Sequence, residues 1–113
     1  MCGICGNVAF STQTASETAR IRVKAMLQSL SHRGPDAVGL ADTDLAVMGA
    51  TRLAIRGLNE DVNQPLVDEQ HHIIAVCNGE IDNHRELRRW LAERGRPVER
   101  EVDVAVIPGL YLE

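Results

Sequence analysis

Cys2 stands directly behind the initiator in Met1-Cys2-Gly3-Ile4, so removal of Met1 would put a thiol and a free α-amine on one residue. The thiolate is the attacking form of cysteine, and an α-amine with an ordinary pKa of about 7.7–8.0 is a base near neutrality. Nucleophile and base would then share a chain end, and a retained Met1 would block the amine. Taken alone, a cysteine at the second position reads first as a small buried residue. The stretch Cys2-Gly3-Ile4-Cys5 is also a CxxC, the spacing used for thiol exchange or half a zinc site. No second CxxC follows, and His71-His72 falls in a predicted strand, where adjacent rings point to opposite faces and are badly placed to share a metal. The sequence therefore predicts no metal site.

The elements that would carry these groups follow from periodicity and turn chemistry. Residues 3–10 form a mostly apolar run that predicts a buried strand, with the nucleophile at its tip. Val23, Met26, Leu27 and Leu30 recur at helical spacing behind Ser16 as N-cap and Glu17 in the first turn, and Gly34-Pro35 ends that helix. Residues 37–41 and 45–49 predict strands joined by the turn Asp42-Thr43-Asp44, with a further strand segment at Leu53-Ala54-Ile55. Residues 57–70 read as a polar loop carrying Pro65, and residues 72–77 as a strand stopped by Asn78-Gly79, the strongest short turn signal in the chain. Asp82 or Asn83 would cap a helix holding Leu87, Trp90 and Leu91, ended by Gly95. Beyond it, Asp103 could cap a helix from Val106 to Tyr111, although Pro108 in its interior would cost about 3 kcal/mol.

The 113-residue length suits one domain, and the low aromatic content of 3% predicts a core of Val, Leu, Ile and Ala. A formal charge of −4 argues against general nucleic-acid binding. The arginines between Arg85 and Arg100 flank Leu87, Trp90 and Leu91 at helical spacing, which predicts a solvated helix face rather than a phosphate-binding patch. No apolar run approaches the roughly 20 residues of a membrane span and no secretion signal opens the chain. Three cysteines, an odd number, do not form a disulfide framework. These features predict a cytoplasmic protein with no membrane association.

Five motifs stand in order along the chain: Met1-Cys2-Gly3-Ile4, Ser31-His32-Arg33-Gly34-Pro35-Asp36, Arg52-Leu53-Ala54-Ile55, Gln64-Pro65-Leu66, and Asn78-Gly79-Glu80-Ile81 with Asn83-His84 and Glu86-Leu87-Arg88. This series resembles the class II glutamine amidotransferases, most closely the N-terminal glutaminase domain of glutamine-hydrolysing asparagine synthetases, which are N-terminal nucleophile (Ntn) hydrolases. The resemblance implies an α+β fold, the Ntn-hydrolase αββα sandwich, here incomplete at its C-terminal side, with residues 1–113 a partial glutaminase domain. It implies that Cys2 attacks the side-chain amide of L-glutamine, giving a thioester that water resolves to glutamate while ammonia departs. An attacked amide becomes an oxyanion, and one preorganised donor for it is commonly worth about 3–4 kcal/mol. The resemblance nominates the Asn78 side-chain amide and the Gly79 backbone N–H as donors. It implies that Arg52 binds the substrate α-carboxylate, that Asp103 holds its α-ammonium, and that Glu80 assists beside the oxyanion turn. Arg33-Gly34-Pro35-Asp36 is expected to serve architecture, as are His84 and Glu86.

Family domains of this kind are longer and continue with further strands. The family's synthetase half, with its ATP and Mg, has no counterpart here, since no Ser-Gly-Gly phosphate loop occurs, and this domain itself needs no cofactor. The ammonia acceptor and the missing strands would come from a synthetase domain or chain. The chain also departs from the family pattern at Asp82, Thr51 and Val104-Ala105, and Pro108 interrupts the following helix. The chain is thus expected to be an enzyme once Met1 is removed and the strands are supplied. Two competing readings are an inactive relic that pairs with a partner chain as an assembly module, and a CxxC redox or zinc domain.

Overall fold

A computed structural model describes residues 2–10, 17–53 and 63–113. Strand β1 (Gly3–Val8) begins immediately after Cys2, and β2 (Ala37–Asp42) and β3 (Ala46–Arg52) form a hairpin beside it. Both neighbours pair antiparallel with β3, giving the order β1-β3-β2. Register sets the site: Gly3 stands opposite Thr51, and Ala37 opposite Arg52, so Cys2 and Arg52 emerge at the same end of the sheet.

Helix α1 (Glu17–Ser29) covers one face of that sheet, burying Ala19, Val23 and Leu27 against Val47, with Cys5 and Leu40 packed at the margin. These positions fall at i, i+4 and i+8, one stripe of a 3.6-residue helix. Full burial of a Val or Leu side chain is worth about 1.5–3 kcal/mol. Met26, predicted for the same stripe, is instead exposed. The predicted N-cap Ser16 lies outside the described residues.

The second half of the chain builds a smaller layer. Strands β4 (Leu66–Asp68) and β5 (Ile73–Ala75) form an antiparallel hairpin, followed by α2 (His84–Glu93), a 3₁₀ turn at Asp103–Val106 and the short helix α3 (Ile107–Tyr111). Leu66, Leu91, Val104, Ala105 and Val106 are buried there. Helix α2 closes as its glycine predicts: Gly95 takes a φ of 77°, the Gly95 N–H bonds to Ala92 O and the Arg96 N–H to Leu91 O. Arg88 turns inward from α2 and donates to the carbonyls of Val98 (2.9 Å), Val102 (2.7 Å) and Arg100, fixing the loop that leads to Asp103. Arg94 lies 3.8 Å over the Trp90 ring, and Arg96 pairs with Glu113 at 2.6 Å. The expected solvated arginine face holds for Arg85, Arg89, Arg94 and Arg100, which are exposed, whereas Arg88 is the exception that turns in to hold carbonyls.

The architecture is mixed α/β with two antiparallel sheets, compatible with an α+β domain, and its core is aliphatic as predicted. Several local expectations change. β1 stops at Val8, and Phe10 is fully exposed rather than part of a buried strand. β3 runs on to Arg52, whereas Leu53 lies beyond it; Ala54 and Ile55 are outside the described residues. The predicted loop of residues 57–70, described from residue 63 onward, contains β4. His71 and His72 occupy the turn between β4 and β5, not a strand, with His72 at φ 56°. Pro108 sits in the first turn of α3, where its missing N–H costs nothing, because the chain first makes a 3₁₀ turn.

Candidate active site

Both polar groups of the Cys2–Gly3 peptide are held by side chains. Arg33 Nε donates to the Cys2 carbonyl at 3.2 Å, and the Gly3 N–H donates to Thr51 Oγ1 at 3.1 Å. The Thr51 hydroxyl in turn donates to Leu30 O at 3.4 Å, at the end of α1, and the residue has no solvent exposure. Gly34 brings Arg33 into place by passing against the β3 backbone: a Cβ there would stand 2.5 Å from Arg52 N. The architectural expectation for Arg33-Gly34-Pro35-Asp36 thus has a steric basis, reinforced by the Asp36 N–H bond to Arg52 O at 3.1 Å.

Cys2 opens onto a cavity of about 900 Å³, within the size range of small-molecule sites. Arg52, Asn78, Gly79, Glu80 and Asp103 line the same cavity, so the structure gathers every predicted site residue around one space. Arg52 is the last residue of β3, and its Nη1 donates to Asn63 Oδ1 at 3.3 Å. Asn78, Gly79 and Glu80 are exposed on a bend after β5, and no strand follows, so Asn78-Gly79 is not a hairpin turn. Asp103 makes no helix-capping bond; its Oδ2 accepts the Ile81 N–H at 2.7 Å, tying the far end of that bend to the 3₁₀ turn. The lining also carries the carboxylates of Asp82 and Glu101, and His84, whose Nδ1 is buried without a hydrogen-bond partner among the described residues. A guanidinium and carboxylates suit the two charges of a small zwitterion, and a thiol beside exposed amide donors suits a carbonyl carried on its side chain.

The three cysteines are free and occupy different settings. The Cys5 thiol donates to Val23 O at 3.9 Å beneath α1, and burial pushes it up from the ordinary thiol range. Burial also raises Cys77, with Asp103 and Cys2 adding to the effect. Cys2 and Cys5 therefore belong to the cavity and the core respectively, although they share a CxxC. His71 bonds Asp68 at 3.0 Å rather than facing another histidine. A second cavity of about 510 Å³, bounded by β4, residues 95–100 and α3, holds none of the predicted site residues.

Residues that sequence reasoning left without a role also surround the site. Asn63 meets Arg52, and the Gln64 side chain bonds both backbone groups of Cys77. The motif Gln64-Pro65-Leu66 was the available signal, but the partner is set by strand register and not by local sequence.

A family model described as a glutamine amidotransferase domain matches residues 1–113. The chain is 38% identical over 113 residues to an asparagine synthetase (glutamine-hydrolysing) of Asparagus officinalis, covering 100% of this chain and 18% of that protein. It is 39% identical over 113 residues to the one of Sandersonia aurantiaca, covering 100% and 21%. A probable asparagine synthetase (glutamine-hydrolysing) of Dictyostelium discoideum is 39% identical over 98 residues, covering 85% and 17%. The chain thus spans only a small part of the length of these relatives.

Proposed function

Because the chain belongs to the glutamine amidotransferase domain family, we propose that it hydrolyses L-glutamine to glutamate and ammonia with Cys2 as nucleophile. The observation that carries this is the gathering of Cys2, Arg52, Asn78, Gly79, Glu80 and Asp103 around one cavity. With Met1 removed, the Cys2 amine takes the thiol proton and the thiolate attacks the side-chain carbonyl of glutamine. Asn78 and the Gly79 N–H stabilise the oxyanion. The amine then protonates the leaving nitrogen, ammonia departs, and a thioester joins Cys2 to the glutamyl group. Water attacks the thioester, giving its proton to the amine, and glutamate leaves as the thiol reforms. Arg52 pairs with the α-carboxylate, and Asp103, assisted by Glu80, with the α-ammonium. The site requires no metal or cofactor of its own; ATP and Mg belong to a synthetase site.

The same reading extends to the fold and to partners. Residues 1–113 form part of an αββα sandwich in which the sheet face opposite α1, bearing Ile4 and Val8 at 42% and 46% exposure, meets the second sheet. Ammonia passes to a synthetase site on another domain or chain in the cytoplasm. Among the described residues no helix is long and apolar enough to cross a membrane. A glutamine-analogue diazoketone, followed by mass spectrometry, tests the chemistry: the Met-processed chain should gain one adduct at Cys2, blocked by excess L-glutamine. An unlabelled Cys2 overturns the reading. The exposed Ile4 and Val8 favour a second reading, an inactive assembly module that buries this face against a partner. A chain that folds cooperatively as a monodisperse monomer rules that out.

A further inference from the structure

The β4–β5 register pairs Leu66 with Ala75, and continuing it by two residues sets Gln64 opposite Cys77. Pro65 has no N–H with which to extend the ladder. The Gln64 side chain takes over: Nε2 donates to Cys77 O at 2.9 Å, and the Cys77 N–H donates to Oε1 at 2.5 Å. One carboxamide thereby exchanges the two bonds that a neighbouring strand would exchange. Cys77 is the residue immediately before Asn78-Gly79. The other end of the bend is tied by Asp103 to Ile81, so the exposed segment 78–80 is held from both sides.

Gln64 is itself seated on the sheet that carries the nucleophile. A Cβ at Gly39 of β2 would lie 1.9 Å from the Gln64 carbonyl oxygen, a contact only glycine permits. The preceding residue, Asn63, accepts the Arg52 guanidinium at 3.3 Å. Asn63-Gln64 therefore touches Arg52 on one side and, on the other, the Cys77 backbone that leads into Asn78-Gly79. We propose that Gln64 is a positioning residue that sets the oxyanion donors against Cys2, acting through the Cys77 backbone. The proposal rests on the glutaminase reading above. A tie that merely stabilised the fold would lower stability without selecting the tetrahedral state over bound product.

The test uses the full, Met-processed chain and its Gln64→Met and Gln64→Glu variants. Three quantities are measured: glutamine turnover, affinity for the aldehyde analogue of glutamine, which forms a tetrahedral adduct with a thiol, and affinity for L-glutamate. Misplacement of oxyanion donors should lower kcat by about 100-fold in Gln64→Met. Aldehyde affinity should fall in parallel, while KM and glutamate affinity stay near those of the unaltered chain. In Gln64→Glu the ionised carboxylate faces the Cys77 carbonyl without a proton to donate. Its deficit should shrink as pH falls toward the ordinary carboxyl range, because the protonated group restores the donor–acceptor pair. Amide hydrogen exchange should show the Cys77 N–H protected in the unaltered chain and exposed in Gln64→Met. Should Gln64→Met fail to fold, the pH profile of Gln64→Glu decides. Unchanged kcat and aldehyde affinity in the variants of an active chain overturn the role of Gln64 alone, as does an unprotected Cys77 amide. An unaltered chain that neither turns over glutamine nor binds the aldehyde at Cys2 overturns the glutaminase reading, and this proposal with it.

Discussion

Cys2 is positioned through its peptide group, by Arg33 on the carbonyl and Thr51 on the following N–H. Thr51→Val keeps the shape of the site but leaves the Gly3 N–H without its buried acceptor. It should destabilise the chain by about 1–3 kcal/mol in denaturant titration and lower glutamine turnover with the Cys2 thiol intact. Arg52→Lys keeps the charge and loses the fork, so KM for glutamine should rise about tenfold or more with kcat less affected. Burial, aided by Asp103, keeps the Cys77 thiol protonated beyond the ordinary range. Iodoacetamide should therefore modify Cys77 slowly at neutral pH, with a rate that climbs only above about 8.5, as peptide mapping would show. Cys2, Arg52, Asn78 and Asp103 were nominated by the ordered motifs and the family they resemble, and the structure places all four around one cavity. Gln64 was given no role, because its task depends on which residue register places opposite it.

Among the elements, the long periodic ones were readable and the short ones were not. Helices α1 and α2 announce themselves over several turns, and the Gly95 stop acts as its sequence suggests. β4 and β5 have three residues each, too few for alternation to show, and their hairpin depends on a turn in which Asp68 accepts the His71 N–H at 3.0 Å and bonds its ring. Those bonds hold the Asp68 carboxyl below the usual carboxylate range. The folded state thus favours the ionised form, so this contribution is present above the ordinary pKa of about 3.9 and is lost as pH falls through and below it. Asp68→Asn should be less stable than the unaltered chain at neutral pH, and the gap in denaturation midpoint should close in acid. Arg88→Met removes donors from the Val98, Arg100 and Val102 carbonyls. It should cost about 1–3 kcal/mol and raise KM for glutamine by loosening Asp103.

At the scale of the whole molecule, two layers meet at the cavity, and the site exists only where both are present. One layer supplies Cys2 and Arg52 and the other supplies Asn78, Gly79, Glu80 and Asp103, which is why no single segment of sequence describes it. The aliphatic core was predictable from composition, whereas the meeting of the layers at Gly39 and Gln64 is a steric fact visible only in three dimensions. The pairing of β1 with β3 has a further consequence for how the chain folds during synthesis. The bond from Gly3 to Thr51 spans 48 residues, so β1 lacks its partner until β3 has been made. At about 5–20 residues per second β1 spends several seconds unpaired. The late-closing strand pair therefore leaves Cys2 unplaced until Arg52, at the end of β3, has been made as well.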